Sequence, residues 1–288
     1  MSRLGVLVPV TVLAVLAAQV SPAVAAVTQP ARAPASSVRP ATAPGDEQLV
    51  GEGADSCTAP SESQMTAFWT NTPYSAWGIY IGGEDRACSQ PNLTASWVSE
   101  VTAQGWHLLP LWVGPQNPCV PGYDHFSTDT ATAYSQGKAQ ALDAYSAVTG
   151  LGMSGNSPVI YDMETGGSST TACIDATKSF IQGWDAQMHV APAQPAGVYT
   201  STCGGFMDDF ASVSPPPDFI DGADWDGNPS TSDLSCVASN HWTEHQRIKQ
   251  YEGGHNVTEN GVTLNVDSDC SNGPSVALAP FNGNSACL

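Results

Sequence analysis

Two acidic residues, Asp162 and Glu164, stand at the end of one short apolar run, with a spacing that suits acid catalysis. Residues 159–163 are typical of a β-strand, and side chains two residues apart project from the same face of a strand. Two carboxyl groups on one face can cleave a glycosidic bond, since one protonates the leaving oxygen and the other supports positive charge on the sugar. The same pair could instead bind a cation or cap the loop that follows, so the chemistry depends on the rest of the chain.

Polar and aromatic side chains also stand at or near the ends of the other strand-like runs. Taken singly, each has a structural explanation, because a lone Asp often caps a turn and a lone Tyr or Trp often belongs to the core. Their recurrence after every run favours function, because aromatic faces stack on sugar rings and carboxylates and amides bind hydroxyl groups. The mixture predicts a carbohydrate cleft rather than an apolar pocket. The residues are Asp55, Tyr80, Trp112, Tyr199, Asp224, Trp225, Gln250 and Asp267.

Eight β-like runs alternate with longer helix-like runs from residue 48 onward, and this order must position the residues above. The strand candidates are residues 49–55, 77–81, 106–113, 159–163, 196–200, 218–225, 247–251 and 262–267. Eight α/β repeats in about 240 residues predict a parallel sheet closed into a (β/α)8 barrel of the TIM type, irregular in its last units. The carboxyl ends of the strands form the active face of such a barrel. An open doubly wound sheet is the alternative, although no glycine-rich nucleotide-binding motif follows the first strand.

The N-terminal region has the features of an export signal. Residues 1–25 combine an early positive charge at Arg3, an apolar run interrupted by Pro9, and a small-residue cleavage site at Ala23-Val24-Ala25. Residues 26–48 are rich in Pro, Ala, Ser and Thr and are typical of a disordered linker, whereas residues 49–288 have the length of one domain. We therefore expect a secreted, extracellular protein that is free of the membrane after signal cleavage and associates with the cell wall.

Cysteine content and net charge further limit the kinds of partner and cofactor that the protein can have. All eight cysteines follow the signal, and an even number in an exported chain favours disulfides over metal thiolates. The chain carries 8 basic and 27 acidic residues, for a net charge of −19, which makes nucleic acid and anionic membranes poor partners. We expect a disulfide-stapled monomer without a metal or other cofactor.

Six motifs follow one another along the domain. They are Gly53-Ala54-Asp55 with Cys57-Thr58-Ala59-Pro60-Ser61, Tyr80-Ile81-Gly82-Gly83, Tyr161-Asp162-Met163-Glu164, Gly197-Val198-Tyr199, Gln250-Tyr251 and Asn265-Val266-Asp267. In this order the set resembles the glycoside-hydrolase-like domain of unknown function found in exported bacterial proteins. That domain is similar in turn to the family-twenty-five glycoside hydrolases, the muramidase-type lysozymes.

The resemblance implies roles for individual residues. Glu164 would be the general acid, and Asp162 would stabilise the positive centre or orient an acetamido group of the sugar. The expected substrate is the glycan of peptidoglycan, because the muramidases cut it. Asp55 and Asp267 would line the same cleft. Tyr80, Tyr199, Trp225 and Gln250 would position the sugar, and Trp112 and Asp224 complete the predicted substrate-binding set by their places at strand ends alone.

Departures from the muramidase pattern leave other functions open. Ser56 directly follows Asp55 where the muramidases usually have a spacer, and Trp225 follows Asp224 where they usually have a Trp-x-Ala element. A non-catalytic domain that binds cell-wall glycan in the same cleft is therefore the main alternative. A zinc peptidase is a minor alternative, since residues 241–245 match the H-x-x-E-H pattern, which on a helix would place two imidazoles around a metal.

Overall fold

The computed structural model describes residues 43–164, 170–190, 192–204, 206–283 and 287–288. The predicted signal peptide, residues 1–25, lies outside the described residues, as does the predicted linker up to residue 42. Residues 165–169, the start of the loop that follows Glu164, also lie outside them.

Strands and helices alternate along the chain as far as the sixth strand. The strands are β1 (Gly45–Asp55), β2 (Ala76–Gly82), β3 (His107–Trp112), β4 (Val159–Asp162), β5 (Ala196–Ser201), β6 (Phe219–Ala223), β7 (Arg247–Glu259), β8 (Val262–Ala277) and β9 (Phe281–Asn282). The helices are α1 (Glu62–Asn71), α2 (Ala95–Gln104), α3 (Thr130–Gly150), α4 (Thr171–Met188) and α5 (Met207–Phe210). The four longer helices begin at side-chain caps, which are Ser61, Thr94, Asp129 and Thr170. None of the helices within the described ranges is long and apolar enough to span a membrane.

The first eight strands form a closed ring of hydrogen-bonded neighbours. Each of β1 to β6 pairs in parallel with the next strand, β7 pairs antiparallel with β8, and β8 returns antiparallel to β1. The short strand β9 lies parallel to β1. The carboxyl ends of β1 to β7 therefore lie at one end of the ring, which we call the mouth.

The last unit differs from the prediction of eight parallel strands. A two-residue turn joins β7 to β8, and both of its residues, Asn260 and Gly261, have positive φ angles (47° and 78°). Such a turn builds an antiparallel hairpin, whereas a parallel strand needs a crossover of a dozen or more residues. The predicted α/β class is confirmed, but the parallel orientation predicted for the eighth strand is wrong.

The first strand also begins earlier than predicted. It starts at Gly45 rather than Leu49, because β8 extends to Ala277 and pairs with residues 45–48 of β1. Residues that the composition placed at the end of a linker therefore complete the ladder between β1 and β8. Their side chains add little to the core, since they are exposed or half-buried.

One apolar cluster fills the interior of the ring. Its buried members are Leu49, Ala76, Leu109, Leu111, Ile160, Phe219 and Ile248, with Tyr80 and Tyr199 packed against them. Because side chains alternate between the two faces of a strand, residues two positions farther along each strand also point inward. A separate and larger cluster, which includes Trp77, Trp106 and Trp184, packs between the ring and the helices.

Three disulfides join neighbouring loops at the mouth. Each links the segment after one strand to the segment after the next strand, in the pairs Cys57–Cys88, Cys119–Cys173 and Cys203–Cys236. The fourth, Cys270–Cys287, ties the C-terminal segment to β8. The prediction that all eight cysteines form disulfides is confirmed. The loops that surround the mouth are thus cross-linked in pairs.

Candidate active site

Inward-facing polar residues collect where the strands reach the mouth. Asp55 is the last residue of β1, and it lies opposite Asp267 of β8 in the antiparallel ladder. Asp162 is the last residue of β4, and it lies beside Tyr199 of β5. The interior face that is apolar deeper in the ring therefore becomes acidic and aromatic at the mouth.

A hydrogen-bond network joins Asp55 to its neighbours. Tyr80 donates its hydroxyl to Oδ1 of Asp55 at 2.9 Å, and Nε2 of Gln250 donates to Oδ2 at 2.9 Å. The same Gln250 nitrogen lies 3.5 Å from Oδ2 of Asp267. Four of the predicted residues, from β1, β2, β7 and β8, are thereby held together.

The other end of the Gln250 amide anchors two aromatic side chains. Its Oε1 accepts from the hydroxyl of Tyr199 at 3.1 Å and from Nε1 of Trp225 at 2.9 Å. The Trp225 side chain is 66% exposed, and its indole lies so close to Gly253 that a Cβ there would come within 2.6 Å of the ring. A glycine at 253 therefore lets an exposed aromatic face lie flat against the rim.

The predicted catalytic pair is held by a residue that sequence reasoning missed. Nε2 of the fully buried Gln116 donates to the carbonyl of Asp162 at 2.9 Å, and its Oε1 accepts from the N–H of Glu164 at 2.8 Å. The Glu164 side chain lines a cavity of about 420 Å³ together with Tyr199 and Trp225. One amide thus fixes the backbone on both sides of Met163, and the cavity brings Glu164 beside the two aromatic residues.

Burial and mutual repulsion raise the pKa values of these carboxyl groups. Burial raises the pKa of Asp162 well above its usual range, and the nearby charges of Glu164 and Asp55 add to the effect. Burial also raises the pKa of Glu164. The pKa of Asp55 rises to about 7 through burial and the charge of Asp267, against hydrogen bonds from Tyr80 and Gln250. The mouth therefore holds protons near neutral pH.

Two further acids lie inside the ring and were not among the predicted site residues. Asp221 of β6 lies beside Tyr199 in the ladder, and burial followed by the charge of Asp55 raises its pKa to about 8. Burial raises the pKa of Asp269 of β8 well above its usual range, with contributions from Asp55 and Asp221. The signal that could have found them is the two-residue period, since Asp269 shares a face with Asp267, and Asp221 with the interior residue Phe219.

Two of the predicted substrate-binding residues are not brought into the Gln250 network. Trp112 belongs to the core cluster outside the ring, where its Nε1 donates to Oε1 of Gln140 on α3 at 2.6 Å. Asp224 lines the 420 Å³ cavity, but its Oδ2 accepts from the N–H of Ser235 at 2.7 Å and lies 3.8 Å from Nζ of Lys249. Trp112 is therefore a core residue, and Asp224 is engaged in holding a loop.

The H-x-x-E-H segment does not have the geometry of a zinc site. Residues 241–245 form bends and turns rather than a helix, with positive φ at Trp242 and His245. Nδ1 of His241 lies 2.7 Å from Asp208, and Nδ1 of His245 lies 2.5 Å from Asn272, so the two rings have different partners. Across the described ranges, no group of three or more His, Cys, Asp or Glu side chains is arranged to hold a metal.

The closed ring, its antiparallel last strand and the acid-lined mouth together define a glycoside hydrolase-like domain. Residues 67–271 match the family described as "Rv2525c-like, glycoside hydrolase-like domain", and the chain belongs to this family. The resemblance inferred from the six motifs is thereby confirmed. No curated protein matches the chain.

Two solved structures show the same fold at low sequence identity, and a third is reported with them for comparison. An uncharacterized protein of B. stearothermophilus has a TM-score of 0.51 at 16% identity, covering 76% of this chain and 95% of its own. The Tat-secreted protein Rv2525c of Mycobacterium tuberculosis, in complex with L-tartrate, has a TM-score of 0.51 at 14% identity, covering 77% and 95%. A family 25 glycosyl hydrolase of Bacillus anthracis has a TM-score of 0.47 at 12% identity, covering 81% and 89%.

Proposed function

We propose that this protein is a secreted glycoside hydrolase that cleaves the glycan of bacterial peptidoglycan by carboxyl acid catalysis, acting as a monomer outside the cell. The observation that carries the proposal is the Asp162–Glu164 segment, clamped by Gln116 at the mouth beside the aromatic faces of Tyr199 and Trp225. A protonated carboxyl group beside sugar-stacking rings supplies the general-acid half of the carboxyl pair that glycosidic cleavage uses, and water that captures the anomeric carbon completes the hydrolysis. The disulfides suit an oxidising compartment, which supports export.

Glu164 is the general acid in this proposal. It lines the cavity, and burial raises its pKa, so it keeps a proton that it can give to the leaving oxygen. Asp162 lies deeper, and its burial, followed by the charges of Glu164 and Asp55, raises its pKa well above the usual range. A protonated Asp162 donates a hydrogen bond, which suits the orientation of a sugar acetamido oxygen better than the stabilisation of positive charge.

Release of reducing ends from purified sacculi tests the catalytic role. Because a positioned general acid contributes about 10²–10⁴-fold to rate, Glu164→Gln should lower the release of new reducing ends by at least about 10²-fold. Glu100→Gln is the matched control, since Glu100 is exposed on α2 away from the mouth. Equal release by wild type and Glu164→Gln would remove the acid role.

A non-catalytic glycan-binding domain is the second candidate. It is favoured by the small exposure of two acids, since Asp55 is 5% and Asp162 is 4% exposed. This function predicts saturable retention on insoluble wall material, weakened by Trp225→Ala, with no new reducing ends after long incubation. New reducing ends that wild type releases and Glu164→Gln does not would favour the hydrolase over the glycan-binding domain.

A further inference from the structure

The β7–β8 hairpin extends beyond the strands on either side of it. β1 ends opposite Asp267 of β8, and β6 ends beside Gln250 of β7. Oδ2 of Asp267 lies 3.5 Å from Nε2 of Gln250, within the network at the mouth. Farther out along β8, Asn265 and Thr263 share a face with Asp267 by their two-residue spacing. One face of the hairpin is therefore continuous with the inner face of the mouth.

Four small polar side chains cover this face of the hairpin. Asn256 lies opposite Asn265 in the antiparallel register, and all four side chains are exposed. Thr258 lies opposite Thr263. From Asp267 to Thr263 the face is about 14 Å long, at about 3.4 Å for each residue of an antiparallel strand. We call Asn256, Thr258, Thr263 and Asn265 the ledge.

The opposite face of the hairpin packs on the core. Val257, Val262 and Leu264 are half-buried and contact the large apolar cluster outside the ring. Polar and apolar residues alternate along both strands, so a hairpin turned over would expose these three side chains and bury the ledge. The side of the hairpin that carries the ledge is therefore fixed toward solvent.

The ledge adjoins the cavity through Trp225. The indole lies against Gly253 at the root of the hairpin, and its Nε1 donates to Oε1 of Gln250 at 2.9 Å. Trp225 also lines the 420 Å³ cavity together with Glu164. A glycan that stacks on Trp225 beside Glu164 thus has the ledge next to it.

The ledge is uncharged and offers both hydrogen-bond donors and acceptors. In a chain with a net charge of −19, none of its four side chains carries a charge. Nδ2 of Asn265 donates to Oδ1 of Asn256 at 3.1 Å, and the hydroxyls of Thr258 and Thr263 lie 2.8 Å apart. Oδ1 of Asn265 and Nδ2 of Asn256 form no hydrogen bond within the described part of the chain. One amide acceptor and one amide donor are thus free for a ligand.

These groups suit a neutral sugar better than other ligands. Amide and hydroxyl groups can pair with both the hydroxyl and the acetamido groups of an N-acetylated sugar. The bonds across the hairpin order the side chains before binding, which lowers the entropy cost of ordering them in a complex. A cationic peptide or an apolar partner would find neither a carboxylate nor an apolar side chain among these four residues.

We propose that the ledge binds further N-acetylated sugar units of the glycan whose reacting bond lies at Glu164, so that the protein selects long strands over short fragments. The inference rests on the proposed function for the position of the glycan, and it deepens that function by naming the polymeric sugar backbone as the substrate class. In this arrangement one sugar stacks on Trp225 and the next units hydrogen-bond to the ledge.

Titration calorimetry with two oligosaccharides tests the inference. The probes are the hexamer and the dimer of β-linked N-acetylglucosamine, added to Glu164→Gln protein so that turnover cannot consume them. The hexamer should bind at least about tenfold more tightly than the dimer, because several neutral hydrogen bonds add to the contacts in the cavity.

Double variants of the ledge decide whether it supplies this gain. Thr258→Val with Thr263→Val removes both hydroxyls and keeps β-branched side chains, which strands favour. Asn256→Ala with Asn265→Ala removes both amides. Each double variant should weaken binding of the hexamer by about tenfold and leave binding of the dimer unchanged, because only the longer chain reaches the ledge.

A control variant and a second substrate complete the test. Thr149→Val is the matched control, since Thr149 is exposed near the end of α3, where the chain leads to the amino end of β4. Thermal unfolding of each variant shows that it folds. Retention on sacculi should weaken equally in the ledge variants whether or not the peptide stems have been removed. A loss confined to sacculi that carry stems would assign the ledge to the peptide and overturn the inference.

The remaining outcomes separate this inference from the proposed function. Equal affinity for the two oligosaccharides, binding of neither, hexamer binding unchanged in both double variants, or an equal loss in Thr149→Val would overturn the inference. Cleavage of sacculi that depends on Glu164, together with any of these results, leaves the hydrolase standing and removes only the role of the ledge. Hexamer binding that the ledge variants weaken, without cleavage of any glycan, keeps the inference and removes the catalytic proposal.

Discussion

The geometry of the Asp162–Glu164 pair depends on a residue from another loop. Gln116 follows β3, and its amide is used completely by the chain, since it donates to the carbonyls of Gly114 and Asp162 and accepts from the N–H of Glu164. Because β4 ends at Asp162, Glu164 has no strand partner to hold its backbone. The position of the Glu164 backbone therefore depends on the side chain of Gln116 in the neighbouring loop.

Replacement of Gln116 should destabilise the fold and displace Glu164. Gln116→Leu fills a similar volume but leaves buried backbone groups without partners, which costs about 1–3 kcal/mol in the free energy of unfolding for each group. Urea denaturation measures this loss, and release of reducing ends should fall with it. Gln182→Leu is the control, because its side-chain hydrogen bond to Ser214 is exposed. A Gln116→Leu protein as stable and active as this control would show that the clamp is unnecessary.

Most of the mouth residues can be predicted from the sequence, because they stand at the ends of strand-like runs. The sequence does not show which face of its strand each side chain occupies. Tyr80, Tyr199 and Gln250 fall on inward-facing positions, and the structure joins them in one network. Trp112 stands at the end of β3 like the others, yet it points outward, because the inward residues of that strand are Leu109 and Leu111. A register that is uncertain by one residue reverses the face of every side chain, so the sequence without neighbouring strands could not show that Trp112 faces outward.

At the scale of elements, the β7–β8 hairpin continues the polar face of the ring beyond the mouth. Along β8 the side chains of Asp269, Asp267, Asn265 and Thr263 share one face by their two-residue spacing. Asn265 donates to the side chain of Asn256 across the hairpin at 3.1 Å. The turn signal, Asn260-Gly261 between alternating residues, was present in the sequence. The count of eight repeats hid it, because a regular barrel requires a crossover at that point.

A buried lysine organises the loop that carries Trp225. Nζ of Lys249 lies 2.9 Å from Asp226 and 3.1 Å from Asp233, and the side chain of Lys249 is fully buried. Residues 224–233 are thus tied to β7 at both ends of the loop. Because Trp225 adjoins Asp226, the same ion pairs hold the exposed indole against Gly253.

Loss of this lysine should loosen the loop. Lys249→Met leaves three carboxylates without their cation, but because Asp226 and Asp233 are partly exposed the loss in the free energy of unfolding should be only about 1–3 kcal/mol. Urea denaturation measures it, and retention on sacculi should weaken as Trp225 loses its position. Lys138→Met removes one charge from α3 and serves as control. Equal stability of the two variants would show that the ion pairs do not hold the loop.

The disulfides give the same loops a covalent framework. Eight cysteines allow 105 pairings, so the sequence alone left the connectivity open. In the structure, three disulfides each join loops that follow adjacent strands. Neighbouring parallel strands bring such loops close together, so the two cysteines of each pair are within reach of one another. Cross-links of this kind chiefly restrict the unfolded chain, and here they also limit the spread of the loops that surround Glu164 and Trp225.

At the scale of the whole molecule, the excess of acidic residues extends into the interior. The net charge of −19 would by itself indicate a solvated surface. The fold instead places Asp55, Asp162, Asp221 and Asp269 inside the ring, where burial favours the protonated form of each. The folded chain therefore binds protons that the unfolded chain releases.

This difference determines how stability should vary with pH. The folded pKa values of Asp55 and Asp221, about 7 and about 8, lie above the value of about 3.9 for an unfolded Asp, so stability should fall as pH rises from about 4 to about 8. Thermal unfolding should show a melting temperature at about pH 8 that is lower than at about pH 5 by about 5 °C or more.

Repulsion among surface charges acts in the same direction, and Asp221→Asn separates the two contributions, because it removes one buried titrating group. The variant should show a smaller difference between the two pH values, whereas the exposed Asp143→Asn keeps the full difference. A melting temperature that rises from pH 5 to pH 8, or an unchanged difference in Asp221→Asn, would mean that the interior acids are ionised in the folded protein.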